Sequence, residues 1–302
     1  MILGLSACSS SSSTITDSAD NSANSDSGNS ASAEANINST NGEKTMDTKT
    51  EIITEEHIVS YDEKDIYGKI YYPTDLTEEQ KCSAVILSHG YNGCNADFTN
   101  ECTKLAQQGY VAYAYDFCGG SIRSKSSMKT TEMTIFTEKE DLLAVYNDIS
   151  NLDIVDANHV YLMGGSQGGL VTTLATEELQ DKVAAMILYY PALNIPEDWR
   201  NNFKSEADIP EENEFWGMTL GKKFFTSIRD FHTFDNIGTY KGNVLIIYGD
   251  QDPIVPSGAM DKAVEAYENI EYVVLEGEGH GFSPEGGKKA INKVIDFISS
   301  AS

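Results

Sequence analysis

The chain has 302 residues, 40% of them apolar, and a formal net charge of −26. That much apolar side chain fills the core of one large domain or two small ones. So acidic a surface repels phosphate backbones, which excludes nucleic acid as a partner and disfavours anionic polymers.

The N-terminal stretch MILGLSAC ends in Leu5-Ser6-Ala7-Cys8. This resembles a bacterial lipobox, whose cysteine is lipidated and becomes the new N-terminus. The apolar stretch before Cys8 is shorter than the roughly 7–15 residues of a full secretory signal. Residues 1–8 are therefore expected to be a signal remnant on an exported, lipid-anchored cell-surface protein. Residues 9–50 are Ser, Asn, Ala, Asp and Thr with only Ile15, Ile37 and Met46 as large apolar side chains. Such a segment buries too little apolar surface to offset the entropy of ordering it, so a disordered polar tether is expected. The folded domain is expected over 51–302. No run approaches the ~18 apolar residues of a membrane-spanning helix, which leaves a lipid on Cys8 as the expected membrane contact.

Residues 52–60 and 66–72 alternate in character around Tyr61-Asp62-Glu63-Lys64-Asp65, which predicts an antiparallel hairpin. The run AVILS at 84–88 is continuously apolar, the mark of a strand buried on both faces. Phe98, Cys102, Leu105 and Ala106 recur at helical spacing before Gly109, which predicts a helix over 98–108. A strand at 111–117, a helix at 138–152, a strand at 160–163, a helix at 167–179 and a strand at 183–190 follow. After an insertion come a strand at 244–248, a helix at 257–267, a strand at 272–275 and a helix at 288–298. This alternation implies an α/β fold with a mostly parallel central sheet and helices on both faces. Ligands of such sheets bind beyond the carboxyl ends of the strands.

Those ends carry chemistry. His89-Gly90-Tyr91-Asn92-Gly93 follows the run at 84–88, and Gly164-Gly165-Ser166-Gln167-Gly168-Gly169 follows the strand at 160–163. Gly249-Asp250-Gln251-Asp252-Pro253 and Glu276-Gly277-Glu278-Gly279-His280-Gly281 follow two later strands. A serine, an aspartate and a histidine thus stand at three strand ends in that order. Asp250, Asp252 and Asp116 compete for the acid. Of the five histidines, His57 and His159 fall at the wrong places in their strands, while His89, His232 and His280 remain.

With these motifs the chain resembles the α/β-hydrolases over about residues 55–300; their order is Ser, Asp or Glu, His, with the serine on a strand-to-helix elbow. The combination of His89-Gly90-Tyr91, Asp116-Phe117, Met133-Thr134, Gly-x-Ser-Gln-Gly-Gly and Gly-Asp-x-Asp-Pro-Ile-Val-Pro is most similar to bacterial cinnamoyl (feruloyl) esterases and related carboxylesterases. Gly165 departs from them, since they usually carry His there. The resemblance implies an α/β-hydrolase fold with Ser166 as nucleophile, His280 as base and Asp252 as the acid that orients it. It also implies the backbone N–H groups of Tyr91 and Gln167 as an oxyanion hole, and a loop-shaping role for His89. A serine hydroxyl needs such a base to attack, because it is a weak nucleophile while protonated.

The four remaining cysteines, Cys82, Cys94, Cys102 and Cys118, match no zinc spacing, so neither metal nor other cofactor is expected. In an exported protein Cys94 with Cys118 is the first disulfide to consider, against free thiols throughout. Residues 191–242 show no strand-helix repeat and hold nine aromatic side chains, which predicts a cap over the strand ends. Its rings either form the cap's own core or line a pocket for a planar acyl group, with Tyr190, Asp198, Trp199, Trp216, Phe225 and His232 as candidates. The expected activity is hydrolysis of a small-molecule or polysaccharide-linked ester through an acyl-enzyme. The resemblance points to feruloyl or cinnamoyl esters of plant cell-wall material. A serine peptidase of related fold and a catalytically silent surface binding module are the alternatives.

Overall fold

The first two strands, β1 (Ile52–Tyr61) and β2 (Lys64–Pro73), pair antiparallel across a turn of only two residues, Asp62 and Glu63. Both lie at positive φ, 43° and 61°, the twist that tight hairpins favour. The five-residue turn predicted from sequence is thus shorter, because Tyr61 pairs with Lys64 and Ser60 with Asp65. The computed structural model describes residues 50–77 and 80–300. Cys8 and the expected tether up to residue 49 lie outside them.

The main sheet continues with β3 (Cys82–Ser88), β4 (Val111–Tyr115), β5 (Val155–Gly165) and β6 (Ala185–Tyr189). Next, β7 (Glu212–Phe215) and β8 (Met218–Gly221) pair only with each other, and β9 (Asn243–Gly249) and β10 (Ile270–Leu275) complete the main sheet. Its order is β1-β2-β4-β3-β5-β6-β9-β10, parallel from β4 onward. The helices are α1 (Thr99–Gln107), α2 (Ile135–Ser150), α3 (Gln167–Leu179), α4 (Ile195–Asn202), α5 (Lys222–Ile228), α6 (Ser257–Ala266) and α7 (Pro284–Ser300).

Side chains of a strand alternate between faces, and β3 shows what the continuous run AVIL achieves. Ala84 and Ile86 join the core beneath α2, α3 and α6, while Val85 and Leu87 pack with α1 and α7 on the opposite face. All four are fully buried. Both faces are covered, as the alternation of elements implies.

Helix α2 starts three residues before its predicted position because Thr134 caps it. The Thr134 hydroxyl accepts from Thr137 N–H at 3.0 Å, and the Thr137 hydroxyl accepts from Thr134 N–H at 2.9 Å. This reciprocal cap uses Thr where the usual pattern has Glu or Gln, which hides it from sequence. In the cap, β7 and β8 are four residues each, too short to show a period of two. They turn at Trp216 and Gly217, both at positive φ. All four described cysteines are free. The Cys94–Cys118 disulfide is not formed: the Cys118 thiol instead points toward the carbonyl of Asp65 in β2.

Between β5 and α3 the chain reverses through Ser166 alone. The approach this requires leaves no room at Gly168, where a Cβ would lie 2.2 Å from the Ser88 carbonyl oxygen and 2.3 Å from that of His89. These are backbone atoms at the end of β3, so the strand itself would have to move. Gly168→Ala is expected to cost at least about 3 kcal/mol, the upper end of overpacking penalties. The melting temperature should fall by roughly 6 °C or more, and a loss under about 2 °C in a circular-dichroism melt would contradict this packing.

Candidate active site

Ser166 sits at φ 53° and ψ −120°, a conformation a side-chain-bearing residue rarely adopts. It is held by hydrogen bonds on both sides: its N–H donates to Tyr189 O at 3.0 Å, and its carbonyl accepts from Ala192 N–H at 3.0 Å. This turn lifts the hydroxyl off the sheet. Ser166 Oγ lies 2.8 Å from His280 Nε2, and His280 Nδ1 lies 2.8 Å from Asp252 Oδ2. The Asp252 side chain is fully buried, and its other oxygen accepts from the N–H groups of Ile254 (2.8 Å) and Val255 (3.0 Å). A carboxylate only accepts, so the proton of Nδ1 faces Asp252 and the lone pair of Nε2 faces the serine hydroxyl.

The competing residues are occupied elsewhere. Asp250 accepts from Gly277 N–H at 2.7 Å and braces the loops after β9 and β10. Asp116 accepts from the backbone and side chain of Asn95 and from Lys125 N–H, tying the loops after β3 and β4 together. His57 meets Asp148 and His159 meets Asp156, both away from Ser166. His89 is buried, donates from Nδ1 to Gly90 O at 2.7 Å and accepts at Nε2 from Phe117 N–H at 3.1 Å. Burial pushes its pKa down, so it holds the loop as a neutral ring.

That loop brings backbone donors to the serine. A Cβ on Gly90 would lie 3.1 Å from Ser166 Cβ, so glycine lets the chain pass this close. The N–H groups of Tyr91 and of Gln167, first residue of α3, find no acceptor among the described residues. The Gln167 side chain donates to Glu138 Oε2 at 2.8 Å. Glu138 lies in α2, is buried, and burial drives its pKa well above the carboxylate range. Nothing in the sequence marks it, because its place in the first turn of α2 looks like an ordinary helix-dipole position.

Two cavities open on Ser166. The first, about 290 Å³, lies under the cap and is lined by Asn194, Ile195, Asp198, Trp199, Phe215, Trp216, Phe224 and Ile254 among others. Asn194, Asp198 and Asn202 are spaced by four, so one face of α4 points into it. Asn194 donates to Asp198 Oδ2 at 2.6 Å, and partial burial raises the Asp198 carboxyl. The side-chain oxygen of Asn194 is buried without a partner among the described residues. Tyr190 lines the second cavity, its ring 4.6 Å from that of His280.

Two expectations need correction. Phe225 is buried in the cap's own core, edge-on to Trp199 (4.7 Å), Phe203 (5.2 Å) and Phe224 (5.3 Å), so it does not reach the cavity. His232 lines a separate cavity with Leu193, Glu197 and Arg200, on the other face of α4. Asn194, Phe215 and Ile254 line the Ser166 cavity without having been singled out from sequence.

A model of the prolyl oligopeptidase family matches residues 96–302. The chain belongs to that family. It is 25% identical over 221 residues to dipeptidyl aminopeptidase BIII of Pseudoxanthomonas mexicana, covering 69% of this chain but only 30% of that protein. The chain therefore spans under a third of that relative's length. Among solved structures it is similar to Est1E from Butyrivibrio proteoclasticus with ferulic acid bound. The TM-score is 0.74 at 26% identity, over 81% of this chain and 98% of Est1E. Mouse alpha/beta hydrolase domain-containing protein 10 shares the fold, with a TM-score of 0.67 at 16% identity over 82% of this chain and all of that one. The protein is a serine hydrolase of the α/β-hydrolase fold, as its motifs led one to expect.

Glu138 gives this site a testable pH dependence. A carboxyl whose pKa is raised on folding binds its proton more tightly in the native chain, so stability falls as pH rises above its unfolded value of about 4.3. Glu138→Gln keeps an acceptor for Gln167 and removes that loss. The melting temperature of the variant relative to wild type should therefore rise between about pH 5 and about pH 8. A difference independent of pH would contradict a buried, protonated Glu138.

Proposed function

We propose that the protein is a serine carboxylesterase that takes an aromatic acyl group onto Ser166 and then transfers it to water. The reading is carried by the cavity under the cap, which opens on the serine between Trp199, Phe215, Trp216 and Phe224. A planar acyl chain fits between such rings, and cavities of this kind and size hold small organic ligands. Asn194 Oδ1 and the Asp198 carboxyl offer acceptors for a phenolic hydroxyl, the donor that distinguishes a hydroxycinnamoyl group from a plain one. The likeness to Est1E with ferulic acid bound supports the same class.

In the proposed reaction Ser166 Oγ attacks the ester carbonyl while His280 Nε2 takes its proton. Asp252 stabilises the imidazolium that forms, and the N–H groups of Tyr91 and Gln167 bind the oxyanion. Losing one such donor typically costs about 10²–10³ in rate. His280 then protonates the leaving alcohol, and a water deprotonated by His280 releases the acid from Ser166. Export on a lipid at Cys8, expected from sequence, suits an ester linked to a polysaccharide outside the cell.

Family membership and the dipeptidyl aminopeptidase relative favour a second reading, cleavage of a peptide amide. An aminopeptidase has to hold a substrate ammonium with an acid. Asp198 is the carboxylate lining the cavity under the cap, and it already accepts from the Asn194 amide.

A fluorophosphonate probe should label the wild type and not Ser166→Ala. Methyl ferulate should be hydrolysed with a kcat/KM at least about tenfold above a short acetyl ester and above any aminoacyl amide. Asp198→Ala should lower kcat/KM about tenfold for methyl ferulate, as expected for one hydrogen bond to a charged group, and leave methyl cinnamate nearly unchanged. Faster turnover of a dipeptidyl amide than of methyl ferulate would replace the esterase reading by the peptidase one.

A further inference from the structure

We propose that the cavity on the far face of α4 from Ser166 is a binding site for a small zwitterion, a free α-amino acid with an apolar side chain. This goes beyond the esterase reading and does not rest on it. The cavity encloses about 390 Å³, in the range that holds small organic ligands. Three segments build it: α4, the turn at 232–235 near the end of the cap, and α6.

Glu197 and Arg200 enter from α4, Asp235 from the turn and Lys262 from α6. Two acids and two bases thus line one cavity, yet none of the four forms an ion pair among the described residues. Glu197 and Arg200 are three apart on one helix, a spacing at which opposite charges commonly meet. Elsewhere the protein does pair such groups, as in Lys139 with Glu178 at 2.6 Å and Lys241 with Glu268 at 3.0 Å. Arg200 instead donates from one terminal nitrogen to the carbonyls of Phe231 at 2.6 Å and Arg229 at 3.4 Å. Those bonds fix the guanidinium and leave its other terminal nitrogen without an acceptor among the described residues. Lys262 Nζ lies 5.0 Å from the centre of the Phe234 ring, a cation–π contact that holds the ammonium at the cavity wall.

This balance of charge selects the ligand. A plain anion would meet Glu197, Asp235 and the field of a protein whose net charge is −26. A plain cation would meet Arg200 and Lys262. A molecule with a carboxylate and an ammonium answers both sets at once, through hydrogen bonds to ionised partners, which are the strong kind. A free α-amino acid carries the two groups on one carbon.

The hydroxyl of Thr233 points to an occupant independently of these charges. Thr233 lines the cavity, is only 4% exposed, and its Oγ1 has no hydrogen-bond partner among the described residues. A buried hydroxyl without a partner is costly, and as both donor and acceptor it can bond either end of a zwitterion. Leu193 and Phe234 line the same space and offer an apolar side chain its contact.

The test is a titration by ligand-observed NMR of the whole chain with L-leucine, beside N-acetyl-L-leucine, which has no ammonium, and L-leucinamide, which has no carboxylate. Leucine is expected to bind with a Kd of about 1 mM or below, and each blocked form at least about tenfold more weakly, as for the loss of a hydrogen bond between charged groups. Lys262→Ala and Glu197→Gln, both changes to exposed side chains, should each weaken leucine binding about tenfold. Asp198→Ala, which alters the cavity at Ser166, should leave it unchanged. No binding of leucine up to about 20 mM, or equal binding of leucine and either blocked form, would overturn the proposal. Leucine binding unchanged in Lys262→Ala and Glu197→Gln would overturn it too, and its loss in Asp198→Ala would then place the amino acid beside Ser166.

Discussion

Ser166 is held in a backbone conformation that typically costs about 1–3 kcal/mol, and much of the surrounding structure serves to keep it there. Its N–H is bound by the last residue of β6 and its carbonyl by Ala192 just beyond that strand. Glycine at 168 lets α3 lie against the end of β3, and glycine at 164 lets it lie against β5, at distances no side chain would permit. The strain aims the hydroxyl at His280 and exposes the Gln167 N–H at the first turn of α3. One turn thus places the nucleophile and one donor together, and the sheet supplies the rest at the ends of β9 and β10.

Behind that turn, burial raises two carboxyls of α2 and keeps one imidazole neutral. Glu138 is driven toward its neutral form by burial, and Asp141, one turn further along α2, is pushed up to about 6 for the same reason. Asp141 accepts from the Tyr61 hydroxyl and from Cys118 N–H at 2.7 Å, which joins the first hairpin to the loop after β4. His89 is kept neutral by burial. A buried carboxylate behind the Gln167 N–H would oppose the negative charge that develops in the reaction, so a Glu138 driven toward its neutral form suits it.

Much of the sheet is legible in sequence because a strand buried on both faces writes a continuous apolar run, as at 84–88, and α3 shows its bounds at Gln167 and Leu179. The serine, aspartate and histidine are legible because each follows such a run at a glycine-rich strand end. What escapes depends on contacts between distant segments. Thr134 and Thr137 cap α2 with hydroxyls alone, β7 and β8 are too short for a period, and Glu138 matters only because α2 lies behind Gln167. For Phe225 and His232, aromatic composition gives no hint of direction: one ring turns into the cap core, and the other lies across α4 from the serine.

The cap and the loop after β3 border two cavities at Ser166, and the imidazole of His280 lines the second. The central claim is that an aromatic acyl group becomes covalently attached to Ser166. It is tested most directly by mixing the protein with methyl ferulate, quenching in acid within the first turnovers, and analysing the digested protein by mass spectrometry. The expected result is a feruloyl group on the peptide that carries Ser166. Turnover of methyl ferulate with the adduct on another residue, or with no adduct at any quench time, would contradict it.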